Sequence, residues 1–175
     1  MILATIDFEA SGLNGNPIEV GIALWDREGP IKIWSSLISL VDDRIWDPAA
    51  EAIHHISKHD LANAPHPARV AEQLNRHMKG VDIAYCDGLQ HDRCWLMSLF
   101  SDAGIEPVFE LRDIGAMPKL GRFPDLWARM CLYLDQMLII HRAGDDALNL
   151  MKAYAHAVGQ QPNVIASRGE AGDIV

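Results

Sequence analysis

Two acidic residues near the start of the chain stand close enough for their charges to interact. Asp7 and Glu9 follow the apolar run at residues 2–6, and side chains two residues apart in a strand project from the same face. Carboxylates so placed raise each other's pKa unless a cation lies between them. Strand ends are also where α/β sheets commonly bind ligands. The pair therefore indicates a metal or substrate site, with a solvated pair at a strand end as the alternative.

A third acidic residue, Asp92, falls on the apolar side of an expected helix. At helical spacing it aligns with Trp95, Leu96 and Leu99, a stripe that should face the core. An unpaired carboxylate is costly to bury, and no Lys or Arg lies at helical spacing on that face. Asp92 therefore needs a partner such as a metal ion, unless it only favours the helix dipole, an effect of roughly 0.3–1 kcal/mol.

The last expected helix distinguishes two neighbouring aspartates. Asp145 aligns with more polar positions and should face outward or cap the helix. Asp146 shares its face with Leu150, Ala153, Tyr154 and Ala157. His141 lies in the preceding loop, from which an imidazole can reach into a cleft, although a structural or solvated histidine is the alternative. We therefore expect Asp146 to point inward as a ligand.

Together these side chains suit a centre of two divalent cations. Four carboxylates, those of Asp7, Glu9, Asp92 and Asp146, supply the oxygen ligands that Mg²⁺ and Mn²⁺ prefer. Such ions lower the pKa of a bound water and contact both the attacking and the leaving oxygen of a phosphodiester. A histidine, with a typical pKa near ~6.5, can accept the water's proton at neutral pH, which makes His141 the candidate base. The pattern predicts a two-metal nuclease.

The elements that must position these residues follow from hydrophobic periodicity. Three strands are expected at residues 2–6, 17–25 and 31–40, separated by turns rich in Gly, Asn and Pro. After residue 47 helices alternate with short strands. The longer helices are expected at 67–78, 91–103, 124–134 and 145–158, and the strands at 81–85 and 108–111. This order predicts an α/β domain with a mixed sheet.

Length, charge and cysteine content restrict the class of protein. A chain of 175 residues should form one domain, residues 1–175, with a loosely held tail from about residue 160. The net charge of −9 argues against a protein that covers long duplex with cations, although bound metals reverse the local field. No long apolar run or leader-like start is present, so we expect a cytoplasmic protein without membrane contact. Three cysteines without paired spacing predict neither disulfides nor a zinc site.

Three segments resemble the motifs of the DEDDh family of 3′-to-5′ exonucleases. Residues 7–13 (DFEASGL) are similar to the first motif, Asp-x-Glu followed by a turn of small residues. Residues 87–92 (DGLQHD) resemble the second, and residues 141–146 (HRAGDD) match the third, His-x-Ala-x-x-Asp. The resemblance covers roughly residues 1–158. It implies a ribonuclease H-like fold, in which a five-stranded mixed sheet is flanked by helices, as in proofreading and ribonuclease T-like exonucleases.

The resemblance also implies an activity and further contacts. Members of the family hydrolyse DNA or RNA from the 3′ end, release nucleoside 5′-monophosphates and use two divalent ions, Mg²⁺ or Mn²⁺. The partner would be the 3′ end of a single-stranded or short nucleic acid, and the protein could also form a homodimer. By the same resemblance, the terminal nucleotide would contact Ala10, Leu13, His54 and Ile56.

Some positions depart from the family pattern. The second motif often reads Asn-x-x-Phe-Asp, whereas Gly88 and His91 occupy the Asn and Phe positions here. His55 stands where the family commonly has Gly, and its side chain could narrow the mouth of the site. These changes bear on substrate contacts more than on chemistry.

Two other functions compete with the nuclease. The histidines near residue 55 and the dipeptide His59-Asp60 are compatible with an HD-type phosphohydrolase, which requires an all-helical frame. A nucleic-acid-binding module that kept the fold but lost catalysis is the second alternative. Release of mononucleotides from nucleic-acid ends in the presence of Mg²⁺ or Mn²⁺ distinguishes these hypotheses.

Overall fold

The computed structural model describes residues 1–40 and 45–166. Within these ranges the strands are β1 (Leu3–Ala10), β2 (Pro17–Trp25), β3 (Ile31–Leu37), β4 (Ile83–Cys86), β5 (Glu110–Asp113) and β6 (Val164–Ala166). The α-helices are α1 (Pro48–His54), α2 (Lys58–Leu61), α3 (Pro67–His77), α4 (Leu89–Ala103), α5 (Pro124–Leu134) and α6 (Ala143–Ala157). Two short 3₁₀ turns, Ile114–Ala116 and Leu120–Arg122, precede α5.

The strands form one mixed sheet in the order β5-β4-β1-β2-β3-β6. β1, β2 and β3 pair as an antiparallel meander, whereas β4 is parallel to β1, β5 to β4 and β6 to β3. One hydrophobic core packs α3 and α4 against the sheet, and a second core packs α5 and α6 against the other face. Because β1 and β4 are parallel, their C-terminal ends meet at the same edge of the sheet, where the first and second motifs lie.

The alternation of side chains along β1 decides where its carboxylates point. Ile6 packs in the core beneath α3 and α4. On the opposite face, the Thr5 hydroxyl donates a 2.6 Å hydrogen bond to the carbonyl oxygen of Ala147 in α6. Residues two apart share a face of a strand, so Asp7 and Glu9 project on the same side as Thr5. Both carboxylates therefore face the region where α6 begins.

The predicted α/β class with a mixed sheet is confirmed, with three differences. β1 continues to Ala10, so Asp7 and Glu9 lie inside the strand instead of beyond its end. The sheet has six strands instead of five, because Val164–Ala166 pairs in parallel with β3. A loose tail from residue 160 was therefore a wrong prediction for these three residues, since so short a strand has too few residues to show a period; residues 167–175 lie outside the described ranges. The sheet also argues against the all-helical frame of an HD-type phosphohydrolase.

No helix in residues 1–40 or 45–166 combines the length and apolar character needed to cross a bilayer.

Candidate active site

A cavity of about 350 Å³ opens where β1 and β4 end and α6 begins. Its acidic wall carries the side chains of Asp7, Glu9, Asp87 and Asp146. Its apolar wall includes Leu134, Met137, Ile139 and Leu150. The volume lies in the range of small-molecule sites, roughly 300–1,000 Å³. The cavity thus combines apolar side chains with carboxylates that attract cations.

Four of the five residues predicted to form the active site, Asp7, Glu9, His141 and Asp146, line this cavity, and the fifth, Asp92, is buried beside Asp7. Their ligating atoms fall into two groups, each spanning no more than 4.8 Å: Glu9, His141 and Asp146 in one, and Asp7, Asp87 and Asp92 in the other. Asp7 and Glu9 project from the same face of β1, which joins the two groups. Asp87 was missed by sequence reasoning, although it lies in the segment that resembles the second motif.

The carboxyl groups at this site disfavour one another's charged forms. Burial raises the pKa of Asp7 well above its usual value, and the charges of Asp92 and Glu9 raise it further. Burial, followed by the charge of Asp146, raises the pKa of Glu9 to about 8. Burial also raises the pKa of Asp146, although His141 opposes this effect. A divalent cation would relieve such repulsion, so the acidic cluster fits a metal site.

Asp92 supplies the clearest sign that a ligand is needed. The residue is 2% exposed, and its Oδ2 has no hydrogen-bond partner among the described residues. Leu96 and Leu99 on the same helix face are buried, which confirms that Asp92 faces inward. Burial raises the pKa of Asp92 to about 7, although the Cys86 thiol opposes the shift. A buried oxygen without a partner is unfavourable, and this donor set fits a cation that prefers oxygen.

Two glycines allow the start of α6 to lie directly on the sheet. Gly21 pairs with Asp7 in the β1–β2 register. A Cβ at Gly21 would lie 2.2 Å from the carbonyl carbon of Ala143. A Cβ at Gly144 would lie 3.0 Å from a side chain of β3. The absence of both side chains brings the first turn of α6, and with it the third motif, against β2 and β3.

An ion pair between the buried carboxylate of Glu19 and the partly exposed Arg142 fixes the segment that follows His141. The carboxylate of Glu19, only 3% exposed, accepts hydrogen bonds from Arg142 Nε at 3.0 Å and Nη2 at 2.6 Å. It also accepts one from the Ala143 amide at 3.0 Å. Two-pronged pairs of this kind are among the stronger protein hydrogen bonds. Sequence reasoning missed Glu19, whose signal was an acidic residue inside an otherwise apolar strand.

His141 adopts an uncommon backbone conformation. Its φ is 55°, in the left-handed region that few non-glycine residues occupy. Such conformations cost about 1–3 kcal/mol and persist where the surroundings hold them. The Glu19–Arg142 pair next to it provides such support. The imidazole lines the cavity within reach of Glu9 and Asp146, and its role as base stays a prediction.

The four residues predicted to contact a terminal nucleotide differ in accessibility. Leu13 is 67% exposed, whereas Ala10, His54 and Ile56 are buried, and none of the four is among the residues that line the cavity. His54 Nδ1 accepts a hydrogen bond from the Ile56 amide at 3.0 Å, and its Nε2 has no partner in the described part of the chain. Burial lowers the pKa of His54, which favours the neutral imidazole. Their contact with substrate stays a prediction.

The departures from the family pattern have local explanations. His55 ends α1 with a φ of 57°, and its amide donates to the carbonyl oxygen of Glu51. Glycine adopts that conformation most easily, which explains why Gly is common at this position in the family that the sequence resembles. The His91 ring stacks on that of Trp95, with ring centroids 5.7 Å apart. His55 and His91 are both exposed.

Comparison with known structures identifies the fold. Escherichia coli exonuclease I in its zinc-bound complex with single-stranded DNA superposes with a TM-score of 0.63 over 90% of this chain, at 14% identity. The same enzyme with a dA16 oligonucleotide gives 0.65 over 88%, at 13% identity. Exonuclease X in complex with 5′ overhanging duplex DNA gives 0.58 over 91% of this chain and 94% of its own, at 22% identity. No family model and no curated protein matches the sequence.

These likenesses show that the chain has the ribonuclease H-like fold of the two exonucleases, which confirms the predicted fold. The chain spans only about two-fifths of exonuclease I, 41% and 40% of the two structures above. Sequence identity to these structures is 13–22%, so the likeness shows the fold alone.

Proposed function

We propose that the protein is a metal-dependent exonuclease that hydrolyses phosphodiester bonds at the 3′ end of DNA or RNA and releases nucleoside 5′-monophosphates. The observation that carries this proposal is the convergence of Asp7, Glu9, Asp146 and His141 on a single cavity, with the carboxylate of Asp92 buried next to that of Asp7. The exonuclease fold of the neighbours supports a nuclease, and the direction of cleavage follows from the resemblance of the three motifs to those of 3′-to-5′ exonucleases.

Asp7, Glu9, Asp92 and Asp146 are the residues that would hold two divalent cations, Mg²⁺ or Mn²⁺. Bound at these oxygens, the cations would acidify a water and stabilise the charge that develops on the phosphate. The two groups of ligating atoms suggest one cation near Glu9 and Asp146 and another near Asp7 and Asp92. The unpartnered Oδ2 of Asp92 is the structural sign of such a need.

His141 acts as the general base. The attacking water transfers a proton to the imidazole as its oxygen forms a bond to phosphorus. The bond from phosphorus to the 3′ oxygen of the preceding nucleotide breaks, and that oxygen takes up a proton from solvent. Because Arg142 is held by Glu19, the neighbouring His141 is positioned before substrate arrives.

The walls of the cavity suit a terminal nucleotide. The base and sugar would lie against Leu134, Met137 and Ile139, and the phosphate would face the carboxylates through the cations. Leu13 is exposed and would contact the last nucleotide, while Ala10, His54 and Ile56 would shape the backbone around it. The cavity wall is acidic and the protein carries a net charge of −9, so neither attracts a phosphate by itself. Binding of the phosphate therefore requires the cations. A cytoplasmic location and a homodimer stay predictions.

The test compares DNA and RNA oligonucleotides labelled at the 5′ or the 3′ end. With Mg²⁺ or Mn²⁺, we expect mononucleotide release from the 3′ label and a ladder from the 5′ label. Asp7→Ala should abolish both, whereas Asp145→Asn, an exposed neighbour of the site, should leave them unchanged. Binding without cleavage would favour the non-catalytic module, and full activity of Asp7→Ala would exclude the proposed site.

A further inference from the structure

Asp87 is the acidic residue of the cavity to which the proposed function gives no role. It follows β4 directly, is exposed and leads through Gly88 into α4. Its carboxylate belongs to the group in which the ligating oxygens of Asp7, Asp87 and Asp92 lie within 4.8 Å of one another. It is therefore as close to the site as the residues of the predicted set.

Strand pairing determines where Asp87 lies. β1 and β4 are parallel, with Ala4 opposite Ala84 and Thr5 opposite Tyr85. The same register continued by two residues sets Asp87 beside Asp7. The position of the carboxylate thus follows from the backbone of the sheet and not only from the conformation of one exposed side chain.

An independent observation beside Asp7 and Asp87 points to a ligand. The Oδ2 atom of Asp92 is buried and has no hydrogen-bond partner within the ranges that the structure describes. A Cβ at Gly88 would lie 3.2 Å from that atom, so the unpartnered oxygen lies next to the turn that carries Asp87. The buried carboxylate of Asp92 and the exposed carboxylate of Asp87 therefore lie within reach of one cation.

The charge of Asp87 would be unfavourable here without a cation. Its carboxylate lies within 4.8 Å of those of Asp7 and Asp92, and like charges at such a distance repel one another. It would also repel the phosphates of a nucleic acid that enters the cavity. Coordination to a divalent cation removes both penalties, since the cation neutralises the carboxylate and presents positive charge to the substrate.

We propose that Asp87 is a fifth carboxylate ligand, which together with Asp7 and Asp92 forms an oxygen-lined site for one of the two divalent cations. The inference rests on the proposed function, because it concerns the same metal centre. Glu9 and Asp146 remain the ligands of the other cation. Through Asp87 the end of β4 would also contact the cation. The pattern of four carboxylates does not include this contact.

Calorimetric titration of the full chain with Mn²⁺, in the absence of nucleic acid, tests this assignment. The parent should bind two ions. Asp87→Asn and Asp87→Ala should weaken one of the two sites by about tenfold or more, since even outer partners of metal ligands contribute about 10–100-fold. The second site should keep its affinity. The matched control is Asp82→Asn, an exposed aspartate at the opposite end of β4, which should titrate like the parent.

The outcomes separate this inference from the proposed function. A parent that binds two ions and releases mononucleotides, with both Asp87 variants binding as tightly, would overturn the role of Asp87 alone. A parent that binds no Mn²⁺ would overturn the metal centre and Asp87 together. Circular dichroism verifies that the variants are folded, which is expected because Asp87 is exposed.

Discussion

Replacement of Glu9 by Gln should stabilise the metal-free protein at alkaline pH. Burial, and then the charge of Asp146, raises the pKa of Glu9 from 4.5 to about 8. A carboxyl group whose pKa is higher in the folded state binds its proton more tightly when folded. Its contribution to stability is therefore complete below pH 4.5 and is lost as the pH rises through about 8. Gln resembles the protonated form and has no proton to lose.

The size of the effect follows from the two pKa values. For a pKa of 4.5 in the unfolded chain and about 8 in the folded protein, the free energy of unfolding falls by about 2 kcal/mol between pH 6.5 and 8.5. For a chain of 175 residues this corresponds to a decrease in Tm of roughly 4–8 °C. The lowered pKa values of His54 and His77 affect the stability of parent and variant alike. Their contribution therefore cancels when the free energies of unfolding of the two proteins are subtracted.

Thermal unfolding in EDTA at a series of pH values measures this difference. The parent should lose stability relative to Glu9→Gln as the pH rises, and saturating Mn²⁺ should favour the parent because Gln supplies no charged ligand. Glu72→Gln, an exposed site on α3, is the matched control and should follow the parent. If the two curves stay parallel from pH 6.5 to 8.5 in EDTA, the pKa of Glu9 is not raised by its burial and by the charge of Asp146, and the reasoning is refuted.

Three further predictions concern the start of α6. Gly21→Ala sets a Cβ against the backbone of Ala143, so urea unfolding should show a loss of about 1–3 kcal/mol or more, and unchanged stability would contradict the close approach. Arg142→Gln leaves the buried carboxylate of Glu19 without its cation and should lower the free energy of unfolding by about 2–4 kcal/mol, less than for a fully buried pair because Arg142 is 43% exposed. His141→Ala should lower the single-turnover rate at pH 7.5 and saturating Mn²⁺ about 10²–10⁴-fold, because the attacking water loses its proton acceptor; a rate close to that of the parent would contradict the role of His141 as base.

The sequence was most informative where a charge interrupted an apolar pattern. Asp92 and Asp146 stand on helix faces that are otherwise apolar, and the structure buries the first and brings the second to the cavity. The alternation of β1 likewise predicted that Asp7 and Glu9 share a face. These inferences depend only on the periodicity within one helix or strand, which can be read from the sequence without knowledge of tertiary contacts.

Features that depend on distant parts of the chain were not predictable in this way. Asp87 approaches Asp7 because β1 and β4 pair in parallel, and nothing in either segment fixes that register. The partner of Glu19, Arg142, is 123 positions away in the sequence. A lone acidic residue in an apolar strand therefore indicates that a partner is required but does not identify which residue it is. β6 was missed for the same reason, since its three residues are a strand only because β3 offers an edge.

The most direct test of the metal centre is anomalous diffraction from crystals that contain Mn²⁺ and a nucleoside 5′-monophosphate. Two manganese peaks are expected in the cavity, one within coordination distance of Glu9 and Asp146 and the other of Asp7 and Asp92. The phosphate should contact both ions, and the base should lie near Ile139. Manganese bound outside the cavity, or none bound at these carboxylates, would contradict the account.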